Sequence, residues 1–270
     1  MEMGDTNSNI HTGTRLDNLL CGLPPGTFII MNIYEIEHNR EIVYPNTRMA
    51  DVIEADYRIL PLLYRMGIEL GFAEKSISEV CCQSGINPNS FLLICNTYLL
   101  TNYSPSSELI CNANPTDLIK YLSSSHSYYL NECIRELERL IDKVASDLPG
   151  NQRELITTFY KVYRKELENH FSYEEEIVFP YINRVIKHKE ENEKFTIGTF
   201  KNNHSNVDEK INDLKSIVMK YIHSTGNRFE SMQLLSTLYI LERDLMKHTF
   251  IEDHILIPMI NLLEQSHDSQ

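Results

Sequence analysis

The sequence predicts an all-α protein, a C-terminal antiparallel four-helix bundle preceded by a small N-terminal helical domain. Three observations carry this expectation. A turn-rich stretch from Thr101 to Pro115 divides the chain. Four long amphipathic segments come after it, joined by short turn signals, and histidines recur in them at a fixed register. Long helices with short connections pack as antiparallel neighbours, which is the condition for a bundle.

Composition narrows the function classes. Apolar residues make up 42% and charged residues 23% of 270, which suffices for a real core. The 25 Lys and Arg against 38 Asp and Glu leave a net charge of −13. Nucleic acid is therefore excluded as a main partner, because phosphate binding needs a basic footprint. No apolar run approaches the ~18–20 residues that span a bilayer, so no membrane role is expected. Glu2 and Asp5 stand where a signal peptide carries Lys or Arg, and the six cysteines include no C-x-x-C pair. Reduced thiols and a cytoplasmic location are the expectation.

The elements are expected in this order. Residues 1–46 read as flexible or irregular, with Pro24-Pro25-Gly26 as a breaker and Met31 as a possible start of the patterned chain. Residues 47–112 read as the small helical domain. Within it, Met49 to Arg65 is apolar-periodic, Gly67 and Gly71 punctuate, Ser76 to Cys82 is a short helix, and Asn87-Pro88-Asn89 caps another through Leu99. Residues 113–270 form the bundle. Its turns are expected at Leu148-Pro149-Gly150, the charged run His188 to Lys194, and Ser224-Thr225-Gly226. Asn151 with Glu154, and Asn227 with Glu230, stand at capping spacing for the second and fourth helices, and the third starts near Thr199.

The chemistry lies in a repeat. His170 to Ile182 and His248 to Ile260 share His, Glu, Ile, Pro and Ile at matching positions. A single His-x-x-x-Glu means little, but the register is harder to dismiss. His170 comes 44 residues after His126 and His248 comes 44 after His204, while both halves are offset by 78 (204 − 126 and 248 − 170). Each half is thus a helical hairpin with one His on its first helix and His-x-x-x-Glu on its second.

In an antiparallel hairpin, residues equidistant from the turn share a height. The midpoint of His126 and His170 is position 148, and that of His204 and His248 is 226, both in turns. All four histidines are therefore expected in one layer, with Glu174 and Glu252 one helical turn (~5.4 Å) away. They also fall on apolar seams. The fourth helix gives Leu234, Leu238, Leu241, Leu245, His248, Glu252, Ile255, Met259 and Leu262. The third gives Phe200, His204, Val207, Ile211, Leu214, Val218 and Tyr221. The second gives Phe159, Tyr163, Leu167, His170, Glu174, Ile177 and Tyr181, and the first places His126 between Leu122 and Tyr129, with Cys133, Leu137, Leu140 and Val144 beyond. Six ionisable groups in an apolar layer need partners, since each costs several kcal/mol unpaired.

A metal pair satisfies them. Imidazole with carboxylate suits iron, manganese or zinc, and the lack of thiolates disfavours a structural zinc or iron–sulfur site. Two carboxylates available to bridge favour a dinuclear centre.

At this point the segments HFSYEEEIVFP (170–180) and HTFIEDHILIP (248–258), with four His and two Glu between Thr116 and Glu264, make the chain resemble the hemerythrin-like family. The pattern looks most like its repair-of-iron-centres branch. That resemblance implies two non-haem iron ions, with His126, His170, His204 and His248 as terminal ligands and Glu174 and Glu252 bridging. It implies a role in restoring stress-damaged iron–sulfur clusters as a labile iron source, with apo or damaged iron–sulfur proteins as partners and O2 or NO as small ligands. The alternative is a module sensing oxygen, nitric oxide or iron. The repair role is not that of a conventional enzyme with a defined substrate, and whether the chain is an enzyme stays open. The position four after His204 is Asp208 instead of the His of oxygen carriers. Asp208 reads as a residue near the site that does not ligate. The small helical domain of that branch usually carries a vicinal Cys pair soon after its first helix; here that stretch, Gly67 to Glu74, has none, and Cys81-Cys82 lies later.

His188, His223, His254 and His267 read as solvated. Tyr129, Tyr173 and Tyr181 read as core or cavity lining. Pro180 and Pro258 are expected to disturb their helices beyond each Glu.

Overall fold

A computed structural model describes residues 43–187, 197, 207–223 and 226–268, without the side chains of 207–209 and 266–268. Among these residues every regular element is a helix, and no helix is long and apolar enough to cross a membrane.

Five short helices come first. Helix α1 (Met49–Ala55) stops at Asp56, whose extended backbone (φ −155°) breaks the periodicity that runs on to Arg65 in sequence. The Asp56 carboxylate then accepts from the Arg58 N–H and opens a 3-10 turn, Tyr57–Ile59, that leads into α2 (Leu60–Arg65). Gly67, at φ +69°, turns the chain out of α2, a conformation that disfavours any side chain. Helix α3 (Ile77–Gln83) begins with a full capping box between Ser76 and Glu79. Helix α4 (Pro88–Leu99), capped by Asn87, is buried on almost every face, as expected of a helix packed on all sides. Helix α5 (Ser107–Asn112), capped by Ser106, occupies the turn-rich stretch.

The long helices come next. Helix α6 runs over Pro115–Tyr128, a π turn at Tyr129–Cys133, and Ile134–Ser146. Helix α7 runs over Gly150–Tyr173, a π turn at Glu174–Val178, and Phe179–Ile186. Helix α8 is described over Val207–Tyr221. Helix α9 runs over Arg228–Ile251, a π turn at Glu252–Leu256, and Ile257–Asp268. Each long helix packs on the next, and α9 returns to α6; α4 lies against α3, α5, α6 and α9. The α6–α7 and α8–α9 connections meet at one end. There the Gly226 N–H donates to Asp147 Oδ2 at 2.6 Å, and Asn227 Nδ2 donates to the Lys143 carbonyl at 2.7 Å. A Cβ on Gly226 would lie 2.8 Å from Asp147 Oδ1, so any side chain there would displace that carboxylate.

The π turns correct the seams read from periodicity. The first two each move the core position by one, whereas at and beyond the third Ile255 and Met259 stay buried as read. Ile177 is 45% exposed while Val178 is fully buried, and Cys133 yields to Ile134 in the same way. Pro180 and Pro258 each stand second in the α-helix that resumes after a π turn, where a missing N–H does least harm. Tyr221 and Leu262, at the helix ends, are exposed, and Phe159 is only partly buried beside Tyr160 and Ile156. Two expected caps also differ. Helix α7 starts at Gly150 behind Pro149, so Asn151 lies inside it, and Asn227 spends its amide on Lys143 without capping its own helix. Thr199 and Phe200 lie outside the described residues.

Two apolar clusters divide the core. One joins α1–α4 to one end of the bundle, through Leu118, Leu122, Val178, Ile182, Ile255 and Ile260. The other fills the opposite end, from Tyr129 and Leu137 through Tyr163, Leu214 and Leu238 to Leu245. The histidine layer lies between them.

Candidate metal centre

Helices α6, α7 and α9 bring His126, Glu174, His248 and Glu252 together. One ligand atom from each lies within 4.8 Å of the others, and all four residues are buried. Both carboxylates have no solvent exposure at all. His126 Nε2 stands 3.0 Å from Glu174 Oε2 and 3.2 Å from His248 Nε2. His170 Nε2 approaches Glu174 Oε1 at 3.2 Å from the preceding turn of α7, and His248 Nε2 approaches Glu252 Oε1 at 3.1 Å from the preceding turn of α9. Glu174 therefore serves two imidazoles from two helices. His204 lies outside the described residues, as does the side chain of Asp208, so the fourth imidazole rests on register alone.

Both carboxylates open π turns. The N–H of Phe179 reaches back to the Glu174 carbonyl, and that of Ile257 to the Glu252 carbonyl. This wider turn is the local feature that the two histidine–glutamate segments share beyond their sequence.

Apolar rings enclose the layer. His126 stacks on Phe171 at 4.2 Å between ring centres and lies parallel to Phe179 at 5.6 Å. Tyr129 meets His248 edge-on at 5.6 Å. His126 turns its other nitrogen, Nδ1, to Glu175 Oε1 at 2.8 Å. A proton on Nδ1, donated to that carboxylate, leaves Nε2 facing Glu174, the tautomer a metal ligand needs.

The donor set fits a cation. Burial works against a charged His126, yet Glu174 and Glu175 outweigh it and the imidazole is pushed up to about 9. Two fully buried carboxylates facing imidazoles at 3.0–3.2 Å call for positive charge between them. Imidazole and carboxylate donors without a thiolate suit borderline and hard transition metals.

Sequence reasoning missed Glu175, the middle of Glu174-Glu175-Glu176, because a run of acids on a helix reads as a solvated face. It also missed Arg65 and Asp244, a buried pair beside the layer. His254 is exposed and stacks on Phe250 at 4.4 Å, and His223 is exposed, as expected of solvated residues. Tyr129 is buried in the cluster at the far end of the bundle, and Tyr173 and Tyr181 are partly buried against the other cluster. Cys81 is buried and Cys82 exposed, both as free thiols. Burial pushes the Cys81 thiol up to about 12, with the adjoining Cys82 adding to the rise, so Cys81 lacks the depressed pKa of a reactive thiol.

Comparison with known proteins agrees with this geometry. The hemerythrin HHE cation-binding domain family matches residues 117–260, just over half of the chain. A search of curated proteins finds no match.

Proposed function

Because the chain belongs to the hemerythrin HHE cation-binding family, we propose that its bundle holds two non-haem iron ions and acts as a labile iron source that restores stress-damaged iron–sulfur clusters. The observation that carries this reading is the buried layer itself. Two carboxylates with no exposure lie among imidazoles from three helices, five donor residues where a lone tetrahedral ion takes four. In this reading His126, His170, His204 and His248 are terminal ligands, and Glu174 and Glu252 bridge. Iron, when bound, supplies a redox-active centre able to take up O2 or NO.

The chain's own residues do the rest. Glu175 orients His126, and Phe171 and Phe179 hold its ring and keep water from that face. Glu175 is also 39% exposed in its side chain and lines a cavity of about 670 Å³ together with Ser123, Lys120 and Asn183. Only the His126 ring separates that solvent-reached carboxylate from Glu174.

The test is transfer. Iron-loaded protein mixed with an apo iron–sulfur enzyme restores that enzyme's activity and loses its own iron in proportion. Retained iron with reversible O2 or NO binding, and no restored enzyme, assigns the module to sensing instead.

A further inference from the structure

Arg65, the last residue of α2, is a buried cation far from the ligands in sequence; its side chain is 1% exposed. Its guanidinium reaches both helices that flank the layer. Nη1 donates to Ser125 Oγ at 3.3 Å, to Tyr129 Oη at 3.1 Å and to Asp244 Oδ1 at 3.2 Å. Nη2 donates to Asp244 Oδ1 at 3.2 Å and to Tyr98 Oη at 3.3 Å, while Nε holds the Pro61 carbonyl at 3.0 Å. The group also lies over the rings of Tyr121 and Tyr128, at 5.1 and 5.2 Å.

Three of these partners, Ser125, Tyr129 and Asp244, stand within about one helical turn of His126 or His248. Ser125 and Tyr129 bracket His126 on α6, and the Tyr129 ring meets His248. Asp244 stands one turn before His248 on α9. The separation of His126 and His248, 3.2 Å between their Nε2 atoms, depends on how α6 and α9 are held at this height. One planar fork spans both.

A buried ion pair is a poor source of stability, because desolvation offsets the attraction and apolar side chains of like volume hold helices as well. What a guanidinium adds is direction: fixed N–H vectors that fix register between the groups they meet. We infer that Arg65 is a positioning residue for the metal-binding layer, through which the helices of residues 49–99 set how firmly the bundle holds its metal. The inference rests on His126 and His248 being ligands.

The test uses the full chain loaded with ferrous iron and measures release to a strong ferrous chelator, together with the visible spectrum and helical content. The variants are Arg65→Lys, which keeps the charge but loses the fork, the double variant Arg65→Met with Asp244→Leu, which removes both buried charges, and Tyr129→Phe. The expected result is about tenfold faster release from both Arg65 variants, the range seen when residues behind metal ligands are removed. A shifted spectrum should accompany it at unchanged helicity, with a smaller acceleration in Tyr129→Phe. Wild-type release from a folded double variant assigns Arg65 to stability alone and overturns the inference. If the Arg65 variants do not fold, Tyr129→Phe decides, and wild-type release from it overturns the inference. A wild-type chain that takes up no iron overturns the proposed function as well, so the two failures are distinct.

Discussion

Arg65, fully buried, and Asp244, partly buried, 179 residues apart in the chain, form an ion pair at 3.2 Å that ties α2 to α9 one turn before His248. Removing one partner strands the other. Arg65→Met alone should destabilise the protein by about 3 kcal/mol, the lower end for a broken buried pair because Asp244 keeps 15% exposure. Chemical denaturation checks this, and a change below about 1 kcal/mol would show that water already satisfies Asp244.

The proposed ligands all lie beyond Pro115, so a chain starting at Asn114 should fold as a helical protein and take up iron. It should release that iron faster than the full chain, because Arg65 and the apolar cap of α1–α4 are gone. Circular dichroism and chelator kinetics on the shortened chain decide this. Soluble helical protein that takes up no iron would mean that the N-terminal helices complete the site.

Replacing Glu174 or Glu252 by Ala should remove more than half of the bound metal, since each is expected to neutralise and space two cations. Asp208→Ala should keep most of it. Iron content of the three purified variants gives the answer, and equal losses would make Asp208 a ligand.

Thiol labelling of the native protein at pH 8 should mark Cys82 and Cys111, which are exposed, and spare Cys81, Cys95 and Cys133 among the described cysteines. Burial pushes the Cys81 and Cys133 thiols up to about 12, so on the order of one ten-thousandth is thiolate at that pH. Mass spectrometry of the labelled peptides reads the outcome. Labelling of Cys81 as fast as Cys82 would restore a thiol role for the pair.

Gly226→Ala tests the turns at the far end. Its new Cβ would displace the Asp147 carboxylate and break the Gly226 N–H bond, costing about 1 kcal/mol. Thermal unfolding should register the loss while metal content stays at the wild-type level.

Legibility in the sequence differs from feature to feature, according to what each depends on. The layer of His126, His170, Glu174, His248 and Glu252 was legible because two hairpins with equal arms place these residues at one height by arithmetic. The π turns were not. An extra residue in a helical turn leaves the ligands in place and shifts only the positions beyond it, as Ile177 and Val178 show. Glu175 was hidden by its neighbours Glu174 and Glu176, because an exposed acid that still reaches a buried imidazole reads in sequence as part of a solvated face. Arg65 and Asp244 were hidden by distance along the chain. An arginine ending Leu60-Pro61-Leu62-Leu63-Tyr64 reads as a helix-end cation, and only the packing of α2 on α6 and α9 makes it buried.

A two-iron centre in the buried layer is tested most directly by elemental analysis of protein reconstituted anaerobically with ferrous iron. About two irons per chain are expected, falling below one in Glu174→Ala and Glu252→Ala. One tightly held zinc per chain with no uptake of iron would rule the two-iron centre out.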